Sequence, residues 1–135
     1  IITASFTEPA KPEAFALKLL FTALTLCAGF KGGEIVPVFF VGSTFGSVIA
    51  DLSGLNCSLG ASIGMISLFC GVTNCPIASL LLSLELFGSE GIAFYALSCS
   101  ISYMLSGYQG LYSEQKILYS KLKTKYINKT IGDKN

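Results

Sequence analysis

The sequence predicts an all-α membrane protein with several tilted and broken transmembrane helices. Three observations predict this class. Hydrophobic residues make up 52% and charged residues 13% of the 135 residues, whereas a soluble domain carries about a quarter charged residues. Charge-free runs recur along the chain, and the mean hydropathy is +0.66. Glycine and proline divide most of these runs into pieces shorter than the about 20 residues that a perpendicular span needs.

Composition also excludes several classes of function. The formal net charge is +1 and histidine is absent. The chain therefore lacks a basic surface for nucleic acid, and it lacks the commonest general base and metal ligand. The five cysteines lie in apolar segments at no metal-ligand spacing, which favours free, buried thiols. We expect no metal site, no cofactor and no partnership with nucleic acid.

The first elements are a connecting segment and an apolar helix. Residues 1–12 contain "EPAKPE", and the chain opens without an initiator Met or a signal-peptide pattern, so we expect a piece of a longer protein. Residues 13–29 show one apolar helical pattern that carries Lys18. This lysine either extends to the interface or pairs with a carboxylate of the half of the protein that we expect to be missing, and the sequence leaves both open.

The middle of the chain predicts three helices. Residues 35–50 form a charge-free run in which Gly42 and Gly46 are four apart, a spacing that lets two helices approach closely in lipid. A second charge-free stretch follows the polar interruption "DLSGLNCSLG", and "GVTNCP" at 71–76 divides it. We therefore expect two short helices, at about 60–71 and 76–87.

The chain ends in an apolar segment and a basic tail. Residues 91–113 carry no charge and are long enough to cross a membrane. Residues 114–135 contain six lysines and predict a final amphipathic helix with a cytoplasmic tail, because lysines concentrate on the cytoplasmic side. The predicted organisation is a connecting segment (1–12), a membrane domain (13–113), and a final helix with a lysine-rich tail (114–135).

The stretch "GFKGGEIVPVFFVG" at 29–42 predicts a helix start facing a ligand. Its glycines oppose a regular helix, and Pro37 suits the first turn of a new one. The first N–H groups of a helix have no partner within it and carry partial positive charge. In a dry interior such amides form an anion site without a fixed cation. An ordinary loop between two helices is the alternative.

Tyr112 in "GYQGLYSEQ" is a second candidate for the same site. It follows a Gly-x-x-Gly break at the start of the last helical pattern. A tyrosine hydroxyl there can act as a neutral donor to a buried anion. Tyrosines are also common interfacial anchors, so this feature alone is a weak signal.

Three motifs in order resemble those of the CLC chloride channels and proton-coupled anion transporters. "GGEIVP" before a glycine-spaced helix resembles the GxFxP motif of that family. "GMISLFCGVTNCPIASLLLSLELFG" is similar to its next helix pair, and "GLYSEQ" to its final tyrosine motif. The resemblance covers residues of about 13 to 120 and implies a partial CLC fold.

The resemblance also implies a site, a partner and a location. Gly33, Glu34, Ile35 and Val36 are expected to line the anion site with their backbone, and Tyr112 to donate its hydroxyl there. CLC proteins are homodimers built from two inverted repeats, with the dimer contact expected here at helices of about 76–107. The chain matches the second repeat only, so an N-terminal repeat with the GREGP-type gate is missing. We expect an integral protein of a bacterial plasma membrane.

Glu34 departs from the usual motif. A carboxylate beside Ile35, where the family has Phe, resembles the branch that exports fluoride in exchange for protons. A protonated glutamate donates a hydrogen bond, and burial beside an anion favours that neutral form. Glu34 is therefore our proton-coupling candidate. The alternative is that Glu34 caps its helix or pairs with Lys31. Glu85 and Glu90 are weaker candidates.

Competing functions remain open at this point. Within the family, the chain fits a chloride channel or a chloride/proton exchanger as well as a fluoride/proton antiporter. A non-conducting structural membrane fragment is a second class. An intramembrane hydrolase is disfavoured, because no serine lies one helical turn from Lys18 to act as its nucleophile.

Overall fold

The computed structural model of the chain contains five helices and one two-stranded sheet within its described residues. These are residues 12–29, 32–112, 114–121, 123 and 125–130. The connecting segment expected at 1–12 lies outside them except for its last residue, as do Lys31 and residues 131–135. The elements are α1 (Pro12–Cys27), α2 (Ile35–Ser53), α3 (Cys57–Thr73), α4 (Pro76–Phe87), α5 (Ile92–Leu105), β1 (Lys116–Tyr119) and β2 (Tyr126–Thr130). The helical part confirms the predicted fold class.

Helices α2 and α3 pack closely against each other through glycines. Gly42 and Gly46 of α2 face Gly60 and Gly64 of α3, and a Cβ built on Gly46 would lie 2.2 Å from the Gly60 carbonyl oxygen. The two backbones are therefore in direct contact. Van der Waals packing of this kind is the main force between helices in lipid, and the close approach predicted for Gly42 and Gly46 is confirmed.

A small core joins α3 to α5. Ile66, Cys70 and Cys99 are buried in it. The Tyr95 hydroxyl donates to Ser62 Oγ at 3.2 Å, and the Ser102 hydroxyl donates to the Ser67 carbonyl at 2.6 Å. All five cysteines are free, but the expected burial holds only for Cys70 and Cys99, since Cys27 is exposed and the other two are half-buried.

The helix breaks follow local chain chemistry. Gly54 ends α2 in the left-handed conformation with φ 70°, and the Asn56 side chain caps α3 by accepting from the Ser58 N–H. Asn74 ends α3 with φ 56°, and Pro76 opens α4. The break predicted within 71–76 is confirmed. Among the described residues, α2 is the helix that is long and apolar enough to cross a membrane, by length and composition.

Two sequence expectations near the end of the chain are wrong. The charge-free run 91–113 is not one span, because α5 ends at Leu105, after about 21 Å of helix. Lys116–Tyr119 and Tyr126–Thr130 form an antiparallel pair of strands where a helix was expected. Aromatic and β-branched residues favour strands, and the rings of Tyr119 and Tyr126 meet across the pair with centroids 5.6 Å apart. Such cross-strand contacts decide short hairpins.

Candidate functional site

The start of α2 leaves its first amides without helical partners. Glu34 occupies the N-cap position, and its side chain makes no capping hydrogen bond. The first helical bond is donated by the Val38 N–H to the Glu34 carbonyl at 3.3 Å. The N–H groups of Ile35 and Val36 come before this bond, and Pro37 has no N–H. The predicted helix start is confirmed, with Pro37 in the first turn.

A small cavity of about 190 Å³ lies beside this helix start. Gly33, Glu34 and Pro37 line it from one side, and Lys18 and Thr22 line it from α1. The Thr22 hydroxyl donates to the Lys18 carbonyl at 2.8 Å, so its proton is already used within the helix. The cavity is thus lined by a carboxylate, by a lysine and by a helix N-terminus with positive partial charge.

Lys18 is a member of this site that the sequence did not place. Its Nζ lies 5.9 Å from the centroid of the Phe40 ring, within the range of a cation–π contact. The lysine and Glu34 line the same cavity although they are 16 positions apart in the sequence. The 3.6-residue period of α1 gives the direction of Lys18 relative to its own helix, but only the packing of α1 on α2 brings it to Glu34.

The side chains at the helix start differ in exposure. Glu34 is half-buried, whereas Ile35 is 37% and Val36 is 63% exposed. Neither Ile35 nor Val36 is among the residues that line the cavity, whereas Gly33 and Glu34 are. A site built from backbone N–H groups does not need these side chains, so both can be exposed.

Tyr112 lies at the same end of the helix pair as Glu34. The Leu111 N–H donates to the Val72 carbonyl at 2.8 Å, which ties this segment to the last turn of α3. Because α3 runs antiparallel to α2, with Phe69 beside Phe39, the end of α3 lies next to the start of α2. Tyr112 itself is 50% exposed, is not helical, and is not among the residues that line the cavity.

A polar cluster at the end of α3 was also missed by the sequence. Lys121 Nζ donates to Asn74 Oδ1, to the Tyr103 carbonyl at 3.0 Å and to Ser106 Oγ at 3.0 Å. Burial lowers the pKa of Lys121. Asn74 could have been recognised as a helix-ending residue, because asparagine two positions before a proline is a stop signal. Its lysine partner is 47 positions away, and no local pattern indicates such a pair.

Glu85 and Glu90 lie away from this site. Both are exposed, and Glu90 lines a separate cavity of about 370 Å³ together with Asn56 at the opposite end of α3. Neither carboxylate shares the cavity of Glu34. Among the described residues, no group of three or more acidic or cysteine side chains could hold a metal ion.

Comparison with known proteins identifies the family. The model of the voltage gated chloride channel family matches residues 9–107, a range that includes all five helices. The chloride/fluoride channel protein of Pseudomonas syringae pv. tomato is 39% identical over 120 residues, which is 89% of this chain and 26% of the relative. The chain thus spans about a quarter of that curated relative's length. On this evidence, and in agreement with its three motifs, the chain belongs to the voltage gated chloride channel, or CLC, family.

Proposed function

We propose that this chain supplies half of a halide pathway, in which fluoride leaves in exchange for protons. The observation that carries the proposal is the uncapped start of α2, whose first amides lie beside the cavity shared by Glu34 and Lys18. The printed name of the P. syringae relative, a chloride/fluoride channel protein, supports a halide as the ion.

The chemistry of the site suits a small anion. Backbone amides replace part of the hydration shell without neutralising the charge, so the ion can bind and still leave. Gly33 has no side chain to cover these amides, and a Cβ built there meets nothing within 4 Å. In this proposal the amides of Gly33, Glu34, Ile35 and Val36 line the anion site, and Tyr112 donates its hydroxyl from the neighbouring segment.

Glu34 gives the site a way to couple anion and proton. When ionised it repels a halide, and when protonated it donates a hydrogen bond, which favours fluoride as the strongest acceptor among the halides. In this proposal fluoride binds together with the proton that Glu34 carries, so the two ions are coupled through one hydrogen bond. Glu34 is therefore the proton-coupling residue in this proposal.

The complete pathway requires more than this chain. We propose that a first repeat supplies the opposite wall of the pore and the gate. We further propose that two copies associate through the helices of about 76–107 in a bacterial plasma membrane, with the chain's C-terminal end in the cytoplasm. Lysine enrichment in residues 114–135 supports that orientation.

The test is flux through the intact protein in liposomes. A fluoride electrode and a pH electrode record fluoride efflux and the accompanying proton uptake. We expect Glu34→Gln to lower the protons moved per fluoride by about tenfold, because the amide cannot carry a proton between the two sides. Glu85→Gln is the matched control, since it makes the same change at an exposed carboxylate outside the cavity.

Three outcomes distinguish the proposed function from its alternatives. Unchanged coupling in Glu34→Gln contradicts the role of Glu34. Chloride flux equal to or above fluoride flux favours a chloride channel or a chloride/proton exchanger, a reading supported by the relative's name, which includes both halides. Absence of flux for either ion in well-folded intact protein favours a non-conducting structural membrane fragment.

A further inference from the structure

The segment after α5 is attached to the α3–α4 junction at three consecutive places. The Leu111 N–H donates to the Val72 carbonyl at 2.8 Å, and Gln115 Nε2 lies 3.8 Å from Cys75 Sγ. The third contact is made by Lys121, whose Nζ donates to the Oδ1 of Asn74, the residue between Thr73 and Cys75 at the junction. Tyr112 lies between the first two attached residues in the sequence, so its backbone position depends on these contacts.

Asn74 is the centre of this attachment. It is 5% exposed, and its backbone has φ 56°, where asparagine is tolerated far better than most residues. Its Nδ2 donates to the Gln109 carbonyl, and its Oδ1 accepts from Ser106 Oγ at 3.0 Å and from Lys121 Nζ. One side chain therefore joins the end of α3, the end of α5 and the lysine beyond β1.

Lys121 supplies the charge that completes the cluster. Its ammonium group has three protons and three oxygen acceptors: Asn74 Oδ1, Ser106 Oγ and the Tyr103 carbonyl. Its Nζ also lies 4.0 Å from the centroid of the Tyr103 ring. The last carbonyls of a helix carry partial negative charge, so a cation at the end of α5 is favourable.

We propose that Asn74 and Lys121 form a clasp that fixes the position of the segment carrying Tyr112, from which its hydroxyl would reach the anion in the complete pore, an inference that rests on the proposed function. The Gln115 N–H donates to the Tyr112 carbonyl at 3.1 Å, so the backbone of Tyr112 is also bonded to an attached residue. With the clasp formed, the segment holding Tyr112 stays at the end of the α2–α3 pair where Glu34 lies. Asn74 and Lys121 are positioning residues, because they act on the anion through Tyr112.

Two variants break the clasp from opposite sides, each with a matched control. Asn74→Gly removes the side chain but keeps a residue that accepts positive φ. Its control is Asn128→Gly, the other described asparagine with positive φ, which is exposed in β2. Lys121→Met removes the ammonium group, and its control is Lys116→Met at an exposed position of β1. If one variant fails to fold, the other still tests the proposal.

The first readout is hydrogen exchange in residues 111–115 of the intact protein in detergent, which does not depend on transport. We expect exchange at the Leu111 and Gln115 amides to become about tenfold faster in both clasp variants and to stay unchanged in both controls. The double variant should exchange no faster than either single one, because both substitutions remove the same interaction. Unchanged exchange in both clasp variants would overturn the clasp.

The second readout is fluoride efflux from liposomes across a range of fluoride concentrations. A mispositioned tyrosine weakens anion binding, so we expect the apparent KM for fluoride to rise about fivefold in the clasp variants while the maximal rate is kept. Tyr112→Phe should raise KM similarly, and adding it to Lys121→Met should give no further rise. Faster exchange without a change in KM would overturn the positioning role. If Tyr112→Phe also has no effect, the fault lies in the proposed role of Tyr112 itself.

Discussion

Two groups of glycines in this chain serve opposite purposes. Gly46 and Gly64 lie within the α2–α3 contact, where an added Cβ would come within 2.2 and 2.5 Å, respectively, of the opposite backbone. Gly32 and Gly33 lie before α2, where an added Cβ meets nothing within 4 Å. In the first group the missing side chain lets two backbones touch. In the second it leaves a backbone open to whatever enters the cavity.

The comparison teaches that a glycine-rich sequence has no single structural meaning. Within the helical contact, close approach increases van der Waals attraction, which is the main stabilising force between helices in lipid. Before α2, the glycines add no packing, and what they provide is access to amides at a helix N-terminus. Substitution by alanine separates these roles, because one methyl group is added in both places.

The largest effect is expected for Gly46→Ala. Its Cβ would lie 2.2 Å from the Gly60 carbonyl oxygen, and backbone atoms on both sides prevent easy relaxation. Overpacking costs about 1–3 kcal/mol, and a contact this short with backbone atoms lies at the upper end of that range, above the gain of about 1 kcal/mol from the better helix propensity of alanine. We expect a lower apparent Tm of the detergent-solubilised protein. An unchanged Tm would mean that α2 and α3 are not in backbone contact.

An intermediate effect is expected for Gly54→Ala, which sharpens the comparison. Gly54 has open space around it, but its φ of 70° is left-handed. The cost is therefore conformational, about 1 kcal/mol, and it does not arise from a clash. Gly54→Asn is the control, because asparagine tolerates this conformation, and its apparent Tm should fall less. Equal losses in both variants would contradict a purely conformational cost.

The smallest effect on stability is expected for Gly33→Ala. The added methyl group meets no atom, so the apparent Tm should stay within the error of the measurement. It does occupy part of a cavity of only about 190 Å³ beside the bare amides. We expect the apparent KM for fluoride to rise about fivefold, or roughly 1 kcal/mol. Gly32→Ala adds the same group to a second glycine that lines this cavity, and it should raise the apparent KM in the same direction. A loss of stability in Gly33→Ala would show that this region is packed rather than open.

The sequence predicted most of the helical fold because the relevant signals are local. Charge-free runs, the glycine pair in α2, and the Asn74–Pro76 break each depend on residues within a few positions of one another. The ends were less accurate: α3 covers Cys57–Thr73 where a helix at about 60–71 was expected. The family was also recognisable, since its three motifs are short and stand in order along the chain.

The last part of the chain was predicted wrongly for a related reason. Lysines at irregular spacing and scattered apolar residues suit an amphipathic helix as well as a hairpin. The contact between Tyr119 and Tyr126 and the ladder between β1 and β2 favour the strands, and these partners are not neighbours in the sequence. Propensity is a weak prior that such contacts override.

By itself, the sequence determined that the chain belongs in a membrane, where its helices break, and that one of them starts with glycine-flanked amides. The tertiary structure alone decided which groups meet there. It brought Lys18 into the cavity of Glu34, and it joined Asn74 to Lys121 across 47 positions. The physical reason is separation along the sequence. Helix breaks arise from the dihedral preferences of neighbouring residues, whereas a site needs distant groups that only packing brings together.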